Sequence, residues 1–113
     1  LVPVGSSMGA YVAAHACAQL KPQALFLMAP AFYFPGWDEE PQGLPAHTVV
    51  VHGWQDDVVP VDVALKFAPA HQAELHLLNS SHTLADQLPM LGLLFEDLLQ
   101  RVEENSRVRG NDV

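Results

Sequence analysis

Short apolar runs alternate along this chain with longer segments in which apolar residues recur at helical spacing. The runs have the length of strands covered on both faces and predict four of them, at Leu1–Val4, Ala24–Met28, Thr48–His52 and Glu74–Leu78. Three helices are predicted at Ala10–Leu20, Val61–Phe67 and Pro89–Glu103. Because strand and helix alternate throughout, the predicted fold class is α/β, with about four parallel strands, right-handed crossovers and flanking helices.

The chain is predicted to form one domain followed by a tail. Residues 1–103 carry the alternating elements, whereas residues 104–113 have almost no apolar side chains and are expected to be flexible. A long loop from Pro30 to Ala46 is rich in proline and aromatic residues, and loops of this length are usually functional or disordered. The chain opens on Leu1 within an apolar run, as though cut partway into a strand, so we interpret it as a fragment.

Charge limits the kinds of partner. The 113 residues include 5 Lys and Arg against 13 Asp and Glu, a net charge of −8, which disfavours nucleic acid and anionic membranes and leaves a small molecule as the expected partner. No apolar run reaches the roughly 18 residues of a membrane span. The single cysteine, Cys17, excludes an internal disulfide and is compatible with a reducing compartment, so we expect a soluble protein in the cytoplasm.

A nucleophile motif lies between the first predicted strand and helix. The segment Gly5–Gly9 has the pattern G-x-S-x-G, in which small residues allow a tight turn that projects the central Ser7 from the edge of the sheet. The backbone N–H of Met8 would lie in the first helical turn without an intrahelical partner, where it can stabilise an oxyanion. The alternative is a glycine-rich loop without activity.

Ser7 needs a base and an acid to become nucleophilic. His82 follows the fourth predicted strand and Asp56 follows the third, so both are expected at the same sheet edge as Ser7. Asp57 is a rival for the acid if the turn is shifted by one residue. The remaining histidines are expected to be structural or solvated: His15, His47, His52, His71 and His76. No pair of histidines has the spacing of a zinc motif, so no metal is expected.

These residues resemble the C-terminal half of an α/β-hydrolase, over nearly all of Leu1 to Glu103. The chain order Ser, Asp, His agrees with that family, and its acid loop, often H-G-x-x-D-x-x-V-P, is matched by His52, Gly53, Asp56, Val59 and Pro60. The match implies that Asp56 is the acid. It also implies a serine esterase or acyl hydrolase that needs no cofactor.

Four aromatic residues are candidates for an apolar substrate pocket. Three lie in the long loop, where the family commonly places a lid or acyl pocket, and one lies beside the acid loop: Phe32, Phe34, Trp37 and Trp54. The alternative is that they pack against the core. A loop of this length is too short for a large cap domain, which suggests an open site and a small or exposed ester.

The first functional hypothesis is therefore a serine hydrolase of carboxylic esters or thioesters that acts through Ser7, His82, Asp56 and an acyl-enzyme. The resemblance also implies that one oxyanion donor and the strands beside Leu1–Val4 lie outside this chain, so the exposed edge strand could support self-association and the fragment alone could be inactive. A second hypothesis is a non-catalytic interaction module on a hydrolase scaffold. A third is a lyase or cofactor-free haloperoxidase that uses the same three residues.

Overall fold

Four strands pair in parallel, in chain order, in the computed structural model of the protein. It describes the backbone of residues 1–111 and the side chains of residues 1–107. The strands are β1 (Val4–Ser6), β2 (Ala24–Met28), β3 (His47–Gly53) and β4 (Glu74–Leu78), and the sheet order is β1-β2-β3-β4. The helices are α1 (Met8–Leu20), α2 (Val61–Ala70) and α3 (Leu88–Asn111), with a 3₁₀ turn at Ala85–Gln87. The predicted α/β class and parallel sheet are confirmed.

The two central strands, β2 and β3, are buried on both faces, as their continuous apolar runs predict. Leu25 and Leu27 of β2 join the core on the side of α1 and α2. The alternate residues Ala24 and Phe26 join the core on the side of α3, which includes Leu98. Because side chains alternate along a strand, a run of apolar residues supplies both layers at once.

Two boundaries near prolines differ from the prediction. β1 lies at Val4–Ser6 rather than at Leu1–Val4, and its register pairs Val4 with Phe26 and Ser6 with Met28. Pro3 has no N–H to donate, and the strand instead continues into the motif until the turn at Ser7. Helix α2 continues through Pro69 to Ala70, because a proline in the last turn disturbs only the bonds at the end of the helix.

Helix α3 is longer than predicted. It continues from Leu88 to Asn111, whereas the prediction ended it at Glu103. Glu103 and Arg107 form an ion pair of 2.6 Å at helical spacing, which favours helix in a segment with almost no apolar side chains. The backbone of residues 104–111 is thus helical, residues 112–113 lie outside the described residues, and the flexibility of this tail stays a prediction.

The loop between β2 and β3 is fixed to both helices beside it. The backbone carbonyl of Glu39 lies 3.0 Å from Nε2 of His15 in α1. The Glu40 carboxylate lies 2.5 Å from Nε2 of His71, which follows α2. The loop therefore lies against the helical layer.

Within the described residues, no helix is both long and apolar enough to cross a membrane.

Candidate active site

The turn between β1 and α1 holds Ser7 in a strained backbone conformation. Its φ of 55° and ψ of −119° are rare for a residue with a side chain. The turn is tight because Gly5 lacks a side chain: a Cβ there would lie 2.5 Å from the carbonyl oxygen of Gly9. Ser7 N donates to the carbonyl of Met28 at 2.9 Å, and Ala31 N donates to the carbonyl of Ser7 at 3.1 Å. Neighbouring backbone thus holds the turn on both sides of Ser7.

Met8 begins helix α1 directly after this turn. Its N–H belongs to the first helical turn, where backbone N–H groups have no intrahelical acceptor. The partial positive charge of a helix N-terminus adds to the attraction of an anion at this position. The backbone geometry is therefore suited to the oxyanion role predicted for Met8.

Asp56 lies in the turn that follows β3, with its side chain fully buried. One carboxylate oxygen, Oδ1, accepts hydrogen bonds of 2.8 Å from the backbone N–H groups of Val58 and Val59. These bonds orient the other oxygen, Oδ2, towards His82. The neighbouring Asp57 is exposed, so the structure brings Asp56 and not its rival to the site.

The loop after β4 carries His82 over Ser7. Nδ1 of His82 lies 2.7 Å from Oδ2 of Asp56, and Nε2 lies 3.1 Å from Oγ of Ser7. The imidazole is 20% exposed, which leaves it accessible from one side. The three predicted side chains therefore form one hydrogen-bonded series, Asp56 to His82 to Ser7.

The acid and histidine loops are joined to each other. Gln55 N donates to the carbonyl of Ser80 at 3.0 Å, and the Gln55 side chain donates to that of Asn79 at 2.7 Å. Gly53 permits this approach, because a Cβ there would lie 2.3 Å from the carbonyl oxygen of Ser80. The Ser80 hydroxyl donates in turn to Asp86. His82 is thus positioned by its own loop and by the acid loop.

The proton positions follow from these contacts. A carboxylate only accepts hydrogen bonds, so Nδ1 of His82 carries the proton that faces Asp56. The unprotonated Nε2 then accepts from the Ser7 hydroxyl. This arrangement allows His82 to remove the hydroxyl proton while the buried carboxylate stabilises the resulting imidazolium.

A cavity of about 330 Å³ opens beside Ser7. Phe34 and Trp37 line it, as predicted from the long loop, and an isolated bridge between these two residues shapes that wall. Apart from Ser7, its lining is apolar and includes residues that the sequence did not single out for this purpose: Met8, Ala31, Pro35, Val58 and Val59. They come from the start of α1, from the loop after β2 and from the turn after β3, which only the folded sheet brings together.

Two of the aromatic residues predicted for the pocket lie elsewhere. Phe32 is fully buried in the core and stacks on Phe67, with ring centroids 4.4 Å apart. Trp54 is 52% exposed and does not line the cavity. Of the four predicted aromatic residues, the structure therefore places only Phe34 and Trp37 at the pocket.

The other histidines make contacts away from Ser7, with one exception near the site. His76 lies 2.6 Å from the Glu74 carboxylate, and His47 lies 2.6 Å from the Asn105 amide. His52 is buried beside Asp56, with 3.3 Å between its Nε2 and Oδ2 of the acid. The sequence motif included His52 but gave it no role.

Several solved structures share this fold. No protein-family model and no curated protein matches the sequence. A structure from Xanthomonas campestris pv. campestris of the alpha/beta hydrolase superfamily superposes with a TM-score of 0.78 and 32% identity, over 88% of this chain and 58% of that chain. Over most of its length, the chain is thus similar in fold and sequence to a structure of the α/β-hydrolase superfamily.

Two further α/β-hydrolases are similar at lower identity. An alpha-beta serine hydrolase homologue from Coxiella burnetii has a TM-score of 0.68 and 26% identity, over 88% of this chain and 48% of that chain. A serine hydrolase without lid from Xanthomonas campestris has a TM-score of 0.71 and 27% identity, over 89% of this chain and 47% of that chain. The chain thus spans about half the length of these α/β-hydrolases.

Proposed function

We propose that this chain carries the nucleophile, base and acid of a serine hydrolase that cleaves carboxylic esters or thioesters. One observation carries the proposal: the 2.7 Å contact between Asp56 and His82 continues into the 3.1 Å contact between His82 and Ser7. Hydrogen-bonded series of this kind activate a serine hydroxyl for attack on a carbonyl.

The reaction would proceed in two halves through an acyl-enzyme. Oγ of Ser7 attacks the carbonyl carbon while His82 takes the hydroxyl proton, and the Met8 N–H stabilises the oxyanion. When the intermediate collapses, His82 returns the proton to the leaving alcohol or thiol. Water then attacks the acyl-enzyme, with His82 again as base, and releases the acid and free Ser7. None of these steps requires a cofactor.

The cavity beside Ser7 supports a substrate with a small uncharged apolar group next to its carbonyl. Its volume of about 330 Å³ lies near the lower end of the range for ligand pockets. A charged group there would lose its hydration without gaining a partner, because the other lining residues are apolar. The narrower proposal is thus an ester or thioester of a short-chain or compact apolar acid.

The experiment that tests this function is covalent labelling with a fluorophosphonate. The probe should modify Ser7 of the folded protein, and Ser7→Ala should remove the modification. Ser6→Ala is the matched control, because Ser6 precedes the turn and is exposed, and it should still be labelled. Absence of labelling in folded, unmodified protein would overturn the proposal.

One observation favours a second candidate, an interaction module that associates through β1. This strand lies at the edge of the described sheet and pairs only with β2, and its Val4 is 48% exposed. Unpaired strand edges promote pairing with another chain. Light scattering together with ester turnover separates the candidates, since stable association without turnover would favour the second.

A further inference from the structure

A second histidine lies against the acid of the proposed machinery. His52, in β3, is completely buried. Its Nε2 lies 2.8 Å from the carbonyl oxygen of Val59 and 3.3 Å from Oδ2 of Asp56. Both neighbours are acceptors, so Nε2 must carry a proton, which it donates to the Val59 carbonyl. The positive end of this N–H dipole also lies near the Asp56 carboxylate.

The other ring nitrogen of His52 is an exception to the usual pairing of buried polar atoms. Nδ1 is buried and has no hydrogen-bond partner among the residues that the structure describes. A second proton there would have no acceptor, so the contacts define a single tautomer with its proton on Nε2. Buried polar atoms are nearly always paired, and a site that keeps one unpaired requires an explanation.

Oδ2 of Asp56 lies between two imidazoles. His82 approaches it at 2.7 Å through Nδ1, and His52 at 3.3 Å through Nε2. Meanwhile Oδ1 is held by the Val58 and Val59 N–H groups, so Val59 contacts both Asp56 and His52. The carboxylate is thus fixed from more than one direction, and His52 connects its Oδ2 side to the backbone that holds Oδ1.

We propose that His52 is a positioning residue, which holds the Asp56 carboxylate in the orientation that His82 requires. The inference rests on the proposed function, because it concerns the acid of that same site. Without the Nε2–H group, the Val59 carbonyl loses its donor and Oδ2 loses a neighbouring positive dipole. The acid loop and the carboxylate can then shift, and misplacement of a reacting group by about 1 Å can slow a reaction by about 10²-fold.

Two substitutions of similar character separate this role from general support of the core. In His52→Gln, the amide nitrogen can reach the position of Nε2 and donate to the same acceptors. In His52→Asn, the shorter side chain places its amide nitrogen near Nδ1, away from Val59 and Asp56. Both variants put a neutral amide into the same buried position, so the cost of burying an amide is common to them.

We expect His52→Asn to slow fluorophosphonate labelling of folded protein by about 10²-fold, with His52→Gln retaining most of the rate. With an ester substrate, the fall in kcat of His52→Asn should exceed the change in KM, because His52 itself does not line the pocket and is hydrogen-bonded to only one residue that does, Val59. The low-field proton resonance of the His82 Nδ1–H group should be shifted or lost in His52→Asn and retained in His52→Gln. A purely structural role would lower stability without moving this resonance.

A measurement on the unmodified protein keeps the inference testable if a variant fails to fold. Long-range ¹H–¹⁵N correlation spectra distinguish histidine tautomers, and we expect His52 to carry its proton on Nε2 alone. A proton on Nδ1 would overturn the inference, as would equal labelling rates in folded His52→Asn and unmodified protein. The proposed function fails separately, if the unmodified protein is not labelled at Ser7.

Discussion

Asp56 and Asp57 are adjacent in the sequence but occupy opposite environments. The Asp56 side chain is fully buried and lies 2.7 Å from Nδ1 of His82, whereas Asp57 is exposed. The turn after β3 decides this difference, because the N–H groups of Val58 and Val59 point to Asp56 and hold one of its oxygens.

The two acids should therefore differ in their effect on turnover. Asp56→Asn replaces the acceptor that fixes the His82 tautomer, and we expect kcat for an ester substrate to fall by about 10⁴-fold. Asp57→Asn removes only an exposed charge and should leave kcat nearly unchanged. Steady-state kinetics of both variants provide the measurement, and the reverse ranking would refute the assignment of the acid.

The pocket wall should control the size of the accepted acyl group. Trp37→Ala enlarges the cavity beside Ser7, so kcat/KM for a longer p-nitrophenyl ester should rise by about tenfold relative to the acetate. Trp54→Ala removes the same side chain from an exposed position outside the cavity, and its chain-length preference should match the unmodified protein. An unchanged preference in folded Trp37→Ala would show that this cavity does not hold the acyl group.

The glycines that begin and end the nucleophile motif should tolerate alanine very differently. In Gly5→Ala, the new Cβ would lie 2.5 Å from the Gly9 carbonyl oxygen and 2.7 Å from Cα of Ala10, both backbone atoms. We expect a loss of about 1–3 kcal/mol in the free energy of unfolding, together with weaker labelling of Ser7.

Gly9→Ala is the matched control for Gly5→Ala. A Cβ at Gly9 meets no atom within 4 Å, and this residue lies in helix α1, where alanine is favoured over glycine. Urea denaturation should show a free energy of unfolding that is equal to that of the unmodified protein or higher by up to about 1 kcal/mol. Equal destabilisation by the two substitutions would contradict the tight turn described for Gly5.

Glu74 should make stability depend on pH in the acid range. The hydrogen bond from His76 and the positive charge of Arg101 lower the pKa of Glu74 from its ordinary value of 4.5, against the opposing effect of burial. Because the folded state has the lower pKa, this stabilisation is complete above about pH 4.5. It is lost as the pH falls through the folded-state pKa.

Near pH 7, Glu74→Gln should therefore have a lower free energy of unfolding, by up to about 1 kcal/mol, and a lower melting temperature in thermal denaturation. The difference should shrink as the pH falls below 4.5 and disappear below the folded-state pKa of Glu74, where both forms of the protein carry a neutral side chain at this position. Glu96→Gln serves as the control, because Glu96 is exposed and makes no ion pair among the described residues. A difference that did not shrink at all with falling pH would contradict this account.

The parts of the fold that depend on local pattern could be predicted from the sequence. The strands Ala24–Met28 and Glu74–Leu78 lie at the predicted residues, because apolar runs bounded by polar or turn residues define them. The meeting of Ser7, Asp56 and His82 at one sheet edge also follows from strand order, since parallel strands end at the same side.

Other features depend on contacts that no local pattern specifies. Phe32 and Phe34 are two positions apart in an irregular loop, and only the packing of that loop on α1 and α2 sends one to the core and the other to the cavity. The contact between His52 and Asp56 depends on how the turn after β3 folds back. The sequence motif includes His52, but only the folded structure shows which groups its side chain contacts.

The position of Ser7 after one edge strand and of His82 after the other has a consequence for folding experiments. Ser7 follows β1, His82 follows β4, and the Met28 carbonyl at the end of β2 holds the Ser7 turn. An intermediate with either outer strand detached would leave the hydroxyl unactivated, however much helix it had formed. The time course of fluorophosphonate labelling of Ser7 during refolding would thus report when the whole sheet is complete. Circular dichroism reports mainly the formation of the helices and does not resolve this step.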